Sequence, residues 1–272
     1  MTLLPETGSV LGVDIGFSPT RKSSAACRLS WTARDVTWAI QRFRYNPVER
    51  LAILRAVAGE HEVMAAAFDG PLRRGFDIIN MYRTAEMMLT RQLGRHIGKP
   101  GSSNTPVGRN LNRAANEAAQ DVLAMKCLDP VRHKVAINQA AIAEAFPTSF
   151  LGLMLADPDP HVKGRAGKSD RFYRALVADS TLHKLLAHLL PGRSLPPLDT
   201  ITNHDDRAGL VCAITALAVA ADDYTAVGDG NGWMILPPWS FIQPLGQELL
   251  MSNAQNEGEA FLFRSRHAGL PA

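Results

Sequence analysis

Cysteine is scarce in this chain: Cys27, Cys127 and Cys212 stand far apart among 272 residues, with no paired spacing. That argues against a Cys-rich zinc site and points to a reducing compartment. Long apolar runs are also missing. The longest, residues 208–221, is too short and too closely flanked by aspartate to span a bilayer, so no membrane association is expected. The opening MTLLPETGSV has neither a basic start nor a long apolar core, so no signal peptide is expected and a cytoplasmic location is. No internal repeat or low-complexity tract occurs. Strong charge of one sign is absent too: the formal net charge is +3 and the pI about 8.9, which is compatible with a nucleic-acid partner without marking one. What is present is a 46% hydrophobic, 20% charged composition, enough for a sizeable globular core.

The stretch VLGVDIGFSP (10–19) organises the rest. Val10, Leu11, Val13 and Ile15 read as a buried strand, interrupted by Asp14 and closed by Gly16 and Pro19. A carboxylate at the end of a buried strand is costly unless a cation or several donors meet it. Asp14 is therefore a metal ligand or an acceptor for local backbone N–H groups. A polar turn at 17–24, carrying Arg21 and Lys22, leads to two further strands at 25–31 and 35–44, an antiparallel meander. A helix follows at 47–59, begun by Pro47 and stopped by Gly59. The next strand, 62–72, again ends in an aspartate, in Asp69-Gly70-Pro71. A strand reached through a helix usually runs parallel to one already in the sheet, which sets Asp14 and Asp69 side by side where ligands of open α/β sheets bind.

Residues 73–130 read as a helical insertion, with helices over 83–97 and 111–128. Between them 98–110 is a Gly/Pro/Ser/Asn loop, either a plain linker or a lid bringing Lys99 and Arg109 over an anionic ligand. A fifth strand ends near Glu144, the third acid placed just before a strand-to-helix turn. The segment 161–174 is basic, with Lys163, Arg165 and Lys168. It is either a solvated face or a phosphate-contacting surface leading into a helix over 169–190. Asp205 and Asp206 open the most apolar helix, 205–222, where the helix dipole alone favours acids. A glycine turn and short strand at 226–241 suggest an edge hairpin.

Three meander strands, a helix, a strand, helices, a strand and a helix are the element order of an RNase H-like α/β domain. Its mixed five-stranded sheet runs 3-2-1-4-5, flanked by helices, here as one domain over 1–272 with a C-terminal edge hairpin. In that topology Asp14, Asp69 and Glu144 converge on one edge, and the closing helix adds Asp205 or Asp206. Clustered acids repel and are forced to protonate unless a cation resolves them, and hard oxygen ligands select Mg²⁺ or Mn²⁺.

The pieces GVDIG (12–16), AAFDGPL (66–72), EAFPTSF (144–150) and HDDRAGLVCAITA (204–216) resemble, in order, domain-of-unknown-function family 429, described as predicted RNase H-like nucleases. The last piece is also similar to the closing helix of RuvC-type resolvases, where two acids three apart precede Ala-Leu. Asp205 matches the first acid and Ala208 stands in place of the second. The resemblance implies metal-assisted phosphodiester hydrolysis of DNA or RNA, with Asp14, Asp69, Glu144 and Asp205 as catalytic carboxylates and Asp206 as a further metal ligand. Lys99, Arg109, Lys163, Arg165 and Lys168 are then expected to contact substrate. Two other readings stand beside it. GVDIGFSPTR also resembles the first phosphate loop of the actin and sugar-kinase superfamily, which implies an ATP-dependent phosphotransferase with Ser18 or Thr20 on phosphate. A non-catalytic binding module keeps the acids only as caps and turn formers.

Overall fold

The computed structural model describes residues 4–60, 62–73, 81–128, 135–161, 167–257 and 262–265. The apolar run at the start of the chain forms β1 (Gly8–Asp14), buried from Ser9 onward, as a strand covered on both faces must be. The meander follows as β2 (Ser24–Trp31) and β3 (Val36–Phe43), both antiparallel to their predecessors. Helix α1 (Pro47–Ala58) starts where Asn46 Oδ1 accepts from Glu49 N, and stops at Gly59, whose φ of 64° suits a residue without Cβ. It delivers the chain to β4 (Ala66–Asp69), parallel to β1.

Between β4 and β5 the described residues form three α-helices. The helix expected over 83–97 is broken into α2 (Thr84–Thr90) and α3 (Gly94–Ile97), with Gln92 between them at a φ of 53°. Helix α4 (Pro106–Ala124) begins inside the segment expected to be a loop. Thr105 Oγ1 accepts from Gly108 N and Pro106 fills the first helical position, which shortens that loop to about 98–104. Strand β5 (Ile142–Ala145) is parallel to β4 and runs into α5 (Pro147–Gly152). The helix expected over 169–190 is two, α6 (Lys168–Ala178) and α7 (Thr181–Leu189), divided at Ser180 in the left-handed region. Helix α8 (His204–Ala220) is almost wholly buried from Ala208 on. The chain closes with β6 (Tyr224–Asp229), β7 (Gly232–Leu236), α9 (Pro244–Glu257) and β8 (Leu262–Ser265).

The architecture is α/β, a mixed sheet flanked by helices. Among the described residues the sheet has eight strands in the order β3-β2-β1-β4-β5-β7-β6-β8, so the expectation of five strands with a separate edge hairpin is corrected. Strand β7 pairs parallel to β5, and β6 is sandwiched between β7 and β8. The physical reason lies in β5: left at an edge, its backbone N–H and C=O groups would be unpaired, and the buried β7 run satisfies them.

Alternation along the strands divides the core. Val10, Ala65, Ala67, Ala143 and Ala145 face α5–α8. Leu11, Val13, Ala66, Phe68 and Ile142 face α1 and α4. Helix α8 lies directly on β1. A side chain at Gly12 would run into Ala213 N and Gly209 O of that helix, while Gly209 in turn sits over Ala25 of β2. Two facing glycines thus let α8 settle onto the sheet at backbone distance. No helix among the described residues is long and apolar enough to cross a membrane.

Candidate functional site

Strand register places one lateral row of residues across the end of the sheet: Arg42, Ala25, Asp14, Asp69 and Ala145. Neighbours in such a row point to the same face and stand about 4.8 Å apart, so Asp14 and Asp69 are adjacent carboxylates. Both belong to the face that Gly12 shares with α8. Burial pushes the Asp14 carboxyl well above the usual carboxylate range, and the charges of Asp69, Asp205 and Asp206 add to it. Burial also raises Asp69, to about 7, against a smaller opposing effect of His204. Among the described residues neither carboxylate is given a hydrogen bond or an ion pair. Of the two alternatives expected for Asp14, a metal ligand or an acceptor for local backbone N–H groups, the second finds no such hydrogen bond among the described residues. The loop after β1 satisfies itself instead: Ser24 Oγ receives Gly16 N and donates to Gly16 O, and Ser18 Oγ receives Arg21 N.

The first turn of α8 supplies the other acids. Asn203 Oδ1 caps it by accepting from the Asp205 and Asp206 N–H groups, which fixes both residues at the helix start. Asp206 is also ion-paired, its Oδ1 3.5 Å from Arg42 Nε across the sheet. Burial raises Asp206, Arg42 lowers it and Asp205 raises it, with a net upward shift. His204 Nδ1 is 3.2 Å from Asp170 Oδ1, which also receives Arg207 Nη1 at 3.0 Å. Burial pushes Asp170 up, but these two partners outweigh it and hold the carboxyl below its ordinary value.

Glu144 does not join this group. It pairs with Phe68, one position short of Asp69, so its side chain projects from the opposite face. There it is locked into a buried network. Arg83 Nη1 and Nη2 donate to its two oxygens at 3.0 and 2.9 Å, while Arg83 Nε donates to Glu86 Oε1 at 3.0 Å. Leu72 N and Arg73 N also donate to Glu144 Oε1. The expected convergence of Asp14, Asp69 and Glu144 is therefore corrected to Asp14 and Asp69. Among the described residues no group of three or more His, Cys, Asp or Glu side chains is gathered tightly enough to hold one metal ion.

No family model, curated protein or solved structure matches the chain.

The expected cations are dispersed. Lys163 and Arg165 lie outside the described residues. Lys168 opens α6, and its Nζ lies beside Gly98, so the 98–104 loop and the start of α6 meet. Gly167, next to Lys168, borders the His204 ring. Lys99 packs near Gly94. Arg109 lies instead with Arg50, Arg113, Glu117 and Asp121, in a separate cleft beside α4. Two contributors escaped the sequence reading. Arg42 reaches Asp206 only through strand register, and Arg83 is 61 residues from the acid it neutralises. Neither spacing carries a signal in the chain itself.

Proposed function

We propose that this protein is a metal-dependent phosphodiesterase acting on nucleic acid, with Asp14 and Asp69 as its metal-holding carboxylates and the charge of Asp205 acting on them from the start of α8. The observation that carries the reading is the Asp14–Asp69 pair: two adjacent, desolvated carboxyls at the ends of neighbouring parallel strands, met by no described cation. The strand order β3-β2-β1-β4-β5 with α8 laid across it supports an RNase H-like core, extended here by three strands. The donor set fits a small hard cation, because Mg²⁺ is commonly held by only one or two carboxylates, the rest of its shell being water and substrate phosphate. When bound, such an ion activates water and offsets the charge that develops on the phosphate.

The chain's own residues then divide the work. Asp14 and Asp69, on adjacent rigid strands, fix where the cation sits. Asp205 approaches from the helix, while Arg42 holds Asp206 to one side. His204, with Nδ1 directed at Asp170, is exposed and keeps Nε2 to exchange a proton with the leaving oxygen. Lys168 and Lys99, the latter on the loop beside it, offer charge to the substrate backbone.

The test is Mn²⁺ titration calorimetry together with cleavage assays on single- and double-stranded DNA and RNA, for wild type and the Asp14→Asn, Asp69→Asn, Asp205→Asn and Asp206→Asn variants. Loss of Mn²⁺ binding and of cleavage in the first two, with smaller effects in Asp205→Asn and Asp206→Asn, is expected. Wild-type protein that neither binds Mn²⁺ nor cleaves any of the four substrates overturns the proposal.

A further inference from the structure

A cavity of about 210 Å³ opens where β4 and β5 end, and Asp69 is part of its wall. Its floor is the buried ion network of Arg83, Glu86 and Glu144. Its sides are apolar: Val107 and Leu111 of α4, Phe146 after β5, and Met234 of β7. The volume lies below the roughly 300–1,000 Å³ of clefts that take drug-sized ligands, so it holds one ring system and not a whole nucleotide.

The polar lining discriminates further. Two carboxylates, Glu86 and Glu144, share one guanidinium, so a phosphate or carboxylate ligand is repelled. Hydrogen-bonding capacity is left over. Ser103 is buried, lines the cavity, and its hydroxyl has no hydrogen-bond partner among the described residues. Glu86 Oε2 receives only Arg83 N among the described residues. A buried hydroxyl without a partner is uncommon and asks for a ligand or water to complete it. Apolar walls, an uncommitted hydroxyl and a carboxylate with spare acceptor capacity suit a flat, uncharged ring that carries N–H donors and acceptors on its edge.

We infer that this cavity takes one unstacked nucleobase, held between the walls of α4 and Phe146 and read at its edge by Ser103 and Glu86. The inference deepens the phosphodiesterase reading and rests on it for the source of the base. Asp69 belongs to both places, so a nucleotide whose phosphate lies at Asp14 and Asp69 has its base within reach of the cavity. Withdrawing a base from the stack into such a pocket is a general way for nucleic-acid enzymes to select a position.

Gly101 provides the test. It lines the cavity, and a Cβ added there meets no atom within 4 Å, so Gly101→Phe adds a ring at the cavity wall without a clash at its Cβ. Adenosine, guanosine, cytidine and uridine are titrated by NMR against wild type, Gly101→Phe and Ser103→Ala. Single strands carrying 2-aminopurine at one position report unstacking by fluorescence. At least one nucleoside is expected to bind wild type and to bind Gly101→Phe about tenfold more weakly, the scale of one lost base contact. Ser103→Ala is expected to change the preference among the four. Mn²⁺ affinity stays at the wild-type value in both variants. A 2-aminopurine signal that rises with wild type and not with Gly101→Phe assigns the base to a strand, while nucleoside binding without that signal assigns it to free nucleosides. No nucleoside binding together with equal 2-aminopurine responses in wild type and Gly101→Phe overturns the inference. Cleavage and Mn²⁺ binding that persist in that event leave the phosphodiesterase reading standing, so the two fail separately.

Discussion

Glu144 and Asp69 have the same residue class and the same position before a strand-end turn, yet their surroundings give them opposite roles. Asp69 is desolvated without a described ion-pair partner, whereas Glu144 receives both ends of the Arg83 guanidinium and two backbone N–H groups. Removing one partner of a buried pair leaves the other charge uncompensated, at a cost of about 3–5 kcal/mol. Glu144→Gln is therefore expected to lower stability by an amount near the lower end of that range, since Glu86 still holds Arg83. Its Mn²⁺ affinity should match wild type. Urea unfolding and calorimetry on the same sample check both halves, and weakened Mn²⁺ binding in a stably folded variant would return Glu144 to the metal site. In the sequence these two acids are indistinguishable. Asp14 and Asp69 were legible because each closes an apolar run and a helix joins the runs into parallel neighbours. Glu144 was misplaced because side chains in a strand alternate, and a one-residue difference in register turns a carboxylate to the other face. Nothing in local composition reports that difference.

At the level of elements, the approach of α8 to β1 depends on Gly12. A side chain there collides with backbone atoms of Ala213 and Gly209, which cannot rotate away as a side-chain tip would. Overpacking of this kind typically costs about 1–3 kcal/mol. Gly12→Ala is expected to reach or exceed that cost and also to lift the first turn of α8, drawing Asp205 and Asp206 away from Asp14. The second consequence is read as weakened Mn²⁺ binding at a temperature where circular dichroism shows the variant folded. Stability lost with unchanged Mn²⁺ affinity would detach the helix position from the site. Helix existence was largely visible in periodicity, and helix integrity was not. The breaks at Gln92 and Ser180 rest on single left-handed residues that lack a glycine signature. The early start of α4 was visible in principle, because Thr105-Pro106 is a cap followed by a first-turn proline. The pairing of β7 with β5 is a long-range match that no local pattern announces.

For the whole molecule the carboxylate cluster sets a dependence on pH. In the unfolded chain these carboxyls titrate near 3.8, whereas in the folded protein Asp69 keeps its proton up to about 7 and Asp14 is raised as well. Between those limits the folded state binds more protons than the unfolded one, so stability falls as pH rises from about 4 to about 7. Each group contributes at most about 1.4 kcal/mol per pH unit. Metal-free protein should therefore show a melting temperature that declines across this window, a decline that Asp69→Asn reduces and Mn²⁺ reverses at neutral pH. A melting temperature that climbs steadily from pH 4 to 7 in metal-free wild type would contradict the buried pair. The facing glycines have one more consequence, in time and not in space. Strand β1 ends at Asp14, and the helix that covers it starts only at His204 and is not complete until Ala220. Until then the face of the sheet carrying Asp14 and Asp69 lacks this cover, so the nascent chain carries its two acids bare, and the site assembles long after the strands that hold it have been made.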